Sequence, residues 1–198
     1  VLTQCAVTAS SPTATGVKVT LAQQGKKTDV EVDRVIVAAG IVGNVENLGL
    51  EKTRVIVEKT HIVTDAQCRT GEPGVYAIGD VAGAPWLAHK ASHEAVLCVE
   101  AIAGLPTHAL DPLRIPACTY SYPQVASIGM TEARAREHAK QSGGEIRVGK
   151  FTFAGNGKAI AMGEDQGLVK TVFDAKSGEL LGAHIIHPEA SEPVSYTH

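Results

Sequence analysis

The sequence of 198 residues is short of positive charge: 18 Lys and Arg stand against 21 Asp and Glu, a net charge of −3. Without a basic field there is little to hold a phosphate backbone, so general nucleic-acid binding is disfavoured. Long hydrophobic runs are missing too; the longest are strand-sized, well short of a membrane span. Cysteine is scarce. Cys5, Cys68, Cys98 and Cys118 make no C-x-x-C pair and no cluster, which argues against a zinc knuckle and a disulfide scaffold. A reducing cytoplasm fits that usage best. No G-x-G-x-x-G phosphate fingerprint occurs anywhere. Val1-Leu2-Thr3-Gln4 has neither the basic nor the apolar region of a secretory signal. The chain opens without Met and stops at Ser195-Tyr196-Thr197-His198, so we expect a portion of something longer. What is present is apolar material: 44% hydrophobic against 20% charged residues, enough for a packed core rather than a disordered chain.

Val17, Val19 and Leu21 alternate with polar residues, then Gln24-Gly25-Lys26 turns the chain toward Val30 and Val32; this predicts a hairpin. Arg34 to Gly40 is a β-branched run closed by small residues, the pattern of a strand buried on both faces. Ile41 to Leu50 reads as a loop, 55–57 and 62–64 as short strands, and 75–78 as an apolar strand that stops at Gly79-Asp80. Apolar residues recur at helical spacing from Ala88 to Ala103, and Gly104 and Pro106 supply the stop. A proline-bearing linker, His108 to Pro116, marks a boundary. Beyond it the expected order is strand, helix, then strands: Ala117–Tyr122, Val125–Ile128, a helix 132–141 capped by Thr131, a strand 146–153 with a bulge near Gly149, and a hairpin of 168–173 with 180–186. That order predicts an α+β domain with an antiparallel sheet.

Chemistry concentrates between Thr70 and Ala91. A strand leads to Gly79-Asp80, then a Gly-rich loop, then a helix start near Ala88. Gly79 permits a sharp turn and a close ligand approach. Asp80 then sits at a strand's carboxyl end, where open α/β sheets bind ligands. An ionised Asp only accepts hydrogen bonds, which suits the hydroxyls of a sugar or ribitol chain. The helix N-terminus offers unpaired N–H groups and a positive dipole end to an electron-rich ring. A Gly-Asp pair alone is also a common turn element, so the surrounding residues must decide.

Thr70-Gly71-Glu72-Pro73-Gly74-Val75-Tyr76-Ala77-Ile78-Gly79-Asp80 resembles the second FAD-binding motif of the pyridine nucleotide-disulfide oxidoreductases. Leu87-Ala88-His89-Lys90-Ala91 resembles its continuation in the dihydrolipoamide dehydrogenase (E3) branch. Val35 to Gly40 is similar to the strand that ends the NAD-binding domain, although Ile41-Val42-Gly43-Asn44 stands where many members carry Arg-x-Pro-Asn. Tyr122 to Gly129 and Leu180 to Ile186 resemble two stretches of the dimerisation domain. The resemblance runs through nearly the whole chain in the family's order. It implies a Rossmann-like α/β region, partial for both FAD and NAD, followed by an α+β dimerisation domain. The implied domains are the end of an NAD-binding domain (1–40), the end of an FAD-binding domain (41–115) and an interface domain (116–198). It further implies that Asp80 hydrogen-bonds the FAD ribitol, that Gly79 forms the turn, that the backbone of Leu87, Ala88 and His89 faces the flavin pyrimidine edge beside Trp86, and that Gly40 lies near NAD. A homodimer and 2-oxo-acid dehydrogenase components are the implied partners. No metal and no catalytic side chain are expected here; the redox disulfide and catalytic base would lie outside the chain, which alone is expected to be inactive.

Four stretches mimic other chemistry. Gly155-Asn156-Gly157 lacks the third small residue of a dinucleotide loop, since Ile160 occupies it. Gly144 to Lys150 matches G-x-x-x-x-G-K, but Phe151 follows instead of Ser or Thr. His187-Pro188-Glu189-Ala190-Ser191-Glu192 resembles the family's His-Glu base motif, yet its context places it earlier, as a strand-end residue. His184 and His187 form H-x-x-H without further placed ligands. Another disulfide reductase, such as a glutathione or mercuric reductase or a soluble transhydrogenase, is the alternative within the enzymes; a non-catalytic dimerisation module is the alternative outside them.

Overall fold

The computed structural model describes residues 1–194. They divide into two compact units, 1–41 and a second beginning at Val42. In the first, β1 (Cys5–Pro12), β2 (Val17–Gln23) and β3 (Lys26–Val32) form an antiparallel meander in that order. The predicted β2–β3 hairpin is present, paired from Val17↔Val32 to Gln23↔Lys26. On one face lie Val17, Val19, Val30 and Val32. The other carries Lys18, whose Nζ is 2.8 Å from Asp29, and Thr20, which donates to the same carboxylate. The first strand escaped the sequence reading because its residues are almost all exposed and do not alternate.

Arg34 to Gly40 corrects the expectation of a strand buried on both faces. The segment forms no strand, and Val35, Ile36 and Val37 are exposed by 43%, 91% and 83%. A doubly buried strand needs hydrogen-bonding neighbours on both sides and layers above and below. Among the described residues none pairs with this run.

The second unit begins with short pieces: β4 (Val57–Glu58) pairs with β5 (His61–Ile62). The expected strand at 75–78 is instead an extended segment joined to its neighbour by one bridge, Arg69↔Tyr76. It feeds a 3-10 turn, Gly79–Ala82, and then helix α1 (Ala88–Ile102), close to its expected span. Cys68, Leu97 and Cys98 are packed together beneath it, with Tyr76 and Leu110 alongside. Burial pushes the Cys68 thiol up to about 11, with the Glu94 carboxylate adding to the effect.

The remainder is a five-stranded antiparallel sheet of order β6-β7-β10-β9-β8, built from β6 (Ala117–Thr119), β7 (Gln124–Gly129), β8 (Ile146–Thr152), β9 (Leu168–Asp174) and β10 (Leu180–His187). Its core face holds Ala126, Ile128, Ala183 and Ile185 against Ala190 and Val194 of the following turn and α4 (Ser191–Val194). On the opposite face Ala135 and Ala139 of α2 (Glu132–Ser142) are buried, and Glu132 reaches Lys170 of β9. Thr131 caps this helix by accepting from Arg134 N–H, and Gly143 ends it in the left-handed region. No bulge occurs at Gly149, whose strand pairs regularly with β9. Gly149 is needed for room, because a Cβ there would meet Thr171 Oγ1 at 2.8 Å. The register shift lies instead in β10, between Leu180 and Gly182. The stretch at 155–157 is likewise more than a loop: Asn156 caps a short helix, α3 (Gly157–Met162), by accepting from Ala159 N–H.

Glu132 receives Arg136 Nε and Nη2 at 3.0 and 2.7 Å and Lys170 Nζ at 2.5 Å. The Lys170 and Arg136 contacts hold its carboxyl down at about 2, from an ordinary 4.5. A depressed carboxyl stabilises the fold above its unfolded value and loses that contribution as pH falls through the folded one. Wild type is therefore expected to exceed Glu132→Gln in melting temperature at neutral pH, with the difference shrinking from pH 4.5 down to about 2; a difference unchanged over that window would refute the linkage.

Candidate functional site

The site is built on the Gly79–Ala82 turn and the start of α1. Gly79 has φ +72°, and a Cβ on it would lie 3.1 Å from the Ala91 methyl group. Only glycine takes this conformation without strain, and here the turn must also pass close under the helix. The turn closes when Gly83 N–H donates to Asp80 C=O at 3.1 Å. Asp80 itself is exposed, while Gly79 is buried. The carboxylate thus stands at the surface on a fixed backbone.

What fixes that backbone is a buried ion pair on α1. Lys90 and Glu94 lie one helical turn apart, 3.0 Å from Nζ to Oε1, with side chains only 7% and 15% exposed. Lys90 Nζ also donates to Gly79 C=O at 3.3 Å and Gly83 C=O at 2.9 Å. Glu94 Oε2 accepts from Gly79 N–H at 2.7 Å. Both ends of the turn are therefore held from the helix.

At its N-terminus α1 starts from Leu87 with no side-chain cap and no acidic residue in the first turn. Its first intrahelical bond runs from Ala91 N–H to Leu87 C=O, so the amides before it are the orphan donors of a helix end. His89 is exposed and uses Nε2–H on Pro116 C=O at 2.7 Å. That bond ties α1 to the entry of β6. A cavity of about 850 Å³ opens beside it, lined by His89, His93, Leu110, Arg114, Cys118 and Tyr120 among others.

Trp86 is 36% exposed and donates Nε1–H to His61 Nε2 at 3.1 Å, the rings 5.8 Å apart. A ring nitrogen that accepts carries no proton, so the proton of neutral His61 sits on Nδ1, which faces Lys59 C=O at 3.2 Å. This chain of bonds holds the indole beside the loop that precedes Leu87.

Residues 115–197 match the dimerisation domain of the pyridine nucleotide-disulphide oxidoreductases, and residues 1–95 match the pyridine nucleotide-disulphide oxidoreductase domain. The chain belongs to this family. Dihydrolipoyl dehydrogenases are among its relatives: one from Rhizobium etli is 56% identical over 85% of the chain, and one from Zymomonas mobilis 49% identical over 98%. The chain spans 34% and 41% of these two proteins. The fold is shared with LpdA of Mycobacterium tuberculosis (TM-score 0.81, 22% identity) and with a Cu(II) complex of the flavoprotein disulfide reductase RclA of Escherichia coli (TM-score 0.83, 24% identity). They cover 98% and 96% of this chain, and it covers 41% and 42% of theirs. At that identity the likeness speaks for the fold alone.

Of the residues singled out in sequence, Gly79, Asp80, Trp86, Leu87, Ala88 and His89 come from one continuous turn, loop and helix start in the second unit. Gly40 belongs to the first unit, in an extended exposed segment with φ +105° and open space where a Cβ would stand. Glu94 and His61 were missed, and Lys90 was quoted only as part of a motif. A signal existed for the pair. Lys preceding Glu by four is the weaker helical orientation, so its place in the first turn of the helix that follows the Gly-Asp turn hinted at another partner. His184 and His187 do not converge: three residues apart on β10, they point to opposite faces. His184 donates to Met130 C=O at 3.1 Å. His187 is 5% exposed and stacks on Phe153 at 3.9 Å. It donates Nε2–H to Glu164 C=O and accepts Glu189 N–H at Nδ1. Among the described residues no group of three or more His, Cys, Asp or Glu could hold a metal ion, and no helix is long and apolar enough to cross a membrane.

Two outcomes follow from this geometry. Gly79→Ala adds left-handed strain and crowds Ala91, so urea unfolding is expected to show a loss of about 1–3 kcal/mol. Trp86 is the single tryptophan. In His61→Ala its N–H turns to water, and the emission maximum is expected to move to the red; an unchanged spectrum would show that the bond does not hold the ring.

Proposed function

We propose that this chain is part of a flavin-dependent dihydrolipoyl dehydrogenase, the oxidoreductase that takes electrons from a dihydrolipoyl dithiol and delivers them to NAD. The observation that carries the reading is an exposed Asp80 carboxylate on a turn clamped from below, directly ahead of the uncapped start of α1. Those groups suit FAD. Asp80 accepts hydrogen bonds from the ribitol hydroxyls, as an ionised carboxylate must. The backbone N–H groups at Leu87, Ala88 and His89 meet the pyrimidine edge of the ring. The positive end of α1 stabilises negative charge there, as the N-terminus of a helix does for anions. Trp86 bounds the loop on the side of His61. Gly40, without a side chain and at positive φ, leaves room beside the nicotinamide cofactor. When bound, FAD supplies the electron relay between a redox disulfide and NAD; this chain binds and orients it.

The same reading makes the chain inactive alone. Its four cysteines are free thiols, and the high-lying Cys68 is buried, so none serves as a redox dithiol. His187, with both ring nitrogens committed to the backbone, is not the proton acceptor. The dimerisation match over 115–197 supports a homodimer. So does a partly exposed apolar row across the sheet, Val125, Ile186 and Leu168. Components of a 2-oxo-acid dehydrogenase complex are the proposed partners, and the cytoplasm the proposed compartment.

Titration of the 198-residue chain with FAD, read by flavin fluorescence, tests the assignment. Removing a charge-assisted acceptor costs about 1.5–3 kcal/mol, so Asp80→Ala is expected to bind roughly 10- to 100-fold more weakly at unchanged circular dichroism. Equal affinity in the two proteins, or no flavin response from either, would overturn it. NAD reduction by dihydrolipoamide is expected to stay at background with this chain, and turnover would refute its inactivity.

A further inference from the structure

We propose that Lys90 and Glu94 act together as one positioning unit, which sets the place of the Asp80 carboxylate and with it the affinity for a polyol-bearing ligand. The proposal rests on the flavin reading for the identity of that ligand, but not for the clamp itself.

An ammonium group has three N–H donors. Those of Lys90 have three acceptors in reach: Gly79 C=O, Gly83 C=O and Glu94 Oε1. Glu94 Oε2 takes the Gly79 N–H. Gly79 is therefore both donor and acceptor to the same pair, and Gly83 is held at the far end. Asp80 lies between these two fixed points, its own carbonyl engaged by Gly83 N–H. Its carboxylate has no other anchor in this network and follows the backbone that carries it.

A purely structural role explains the pair poorly. Burying two charges is expensive, and replacing such a pair with apolar residues of similar volume is often neutral or stabilising. The packing beneath α1 is already supplied by Leu97, Cys98 and Cys68. What an apolar pair could not do is hold a turn by its carbonyls and its amide. Among the described residues the side-chain hydrogen bonds that Lys90 and Glu94 make outside the pair all go to the turn that carries Asp80, so their placement matches a task of aiming that residue. The backbone of Glu94 is held in turn, its carbonyl facing Cys68 Sγ at 3.8 Å.

The test uses the 198-residue chain with Lys90→Met/Glu94→Leu, which removes both charges, and the milder Glu94→Gln as a second variant. Three readouts are taken: thermal midpoint, amide hydrogen exchange at Gly79 and Gly83, and FAD titration by flavin fluorescence. The double variant is expected to melt near wild type, to exchange the Gly79 amide at least tenfold faster and to bind FAD at least tenfold more weakly. Glu94→Gln is expected to show the same changes to a smaller degree. Wild-type exchange and wild-type FAD affinity in the double variant would overturn the proposal; so would a loss of affinity matched only by global unfolding, with Glu94→Gln unaffected. If the double variant does not fold, Glu94→Gln decides alone by its Gly79 exchange and FAD affinity. If wild type itself gives no flavin response, the flavin reading fails, while Gly79 exchange still decides whether the pair holds the turn.

Discussion

The site depends on two opposite charges taken out of water together. Enclosing either the Lys90 or the Glu94 side chain is costly without the other and without the backbone groups they share. The groups that complete them are the carbonyls and the amide of the Gly79–Gly83 turn. Satisfying the pair and shaping the turn are thus one event. Glycine at 79 is the other half of the constraint, since its φ of +72° strains any side chain there and a Cβ would crowd Ala91 at 3.1 Å. From these two conditions follows an exposed Asp80 on a fixed backbone.

The sheet of the second unit is organised by a different principle. Its inner face is closed by apolar packing, with Ala126, Ile185, Ala190 and Val194 nearly inaccessible. A single buried histidine is accommodated because its two nitrogens meet backbone partners and its ring stacks on Phe153. That arrangement makes His187 part of the framework, although its neighbours in sequence resemble a catalytic motif.

Much of this was legible along the chain. The helices at 88–102 and 132–142 announced themselves by spacing and by caps, because helical periodicity and end signals are local. The antiparallel strands beyond residue 116 were legible for the same reason, through alternation and turn residues. The failures are equally physical. Val35 to Val37 read as buried because β-branched runs usually are, yet burial is conferred by neighbours, and none pairs with this run among the described residues. Gly149 read as a bulge, but it only makes space for Thr171 across the ladder. Asn156 concealed a helix of six residues, too short to show a period.

By itself the sequence determined the hairpin at 17–32, the turn at Gly79, the helices at 88–102 and 132–142 and the family, since each depends on residues close together in the chain. Only the tertiary structure decided that Asp80 faces solvent, that Glu94 reaches back fifteen residues to Gly79, that His61 accepts from Trp86, and that His187 is locked into the framework. Those are contacts between separated segments. A hydrogen bond or a buried charge pair of that kind exists only once packing has brought its members within about 3 Å, and no local pattern encodes that distance.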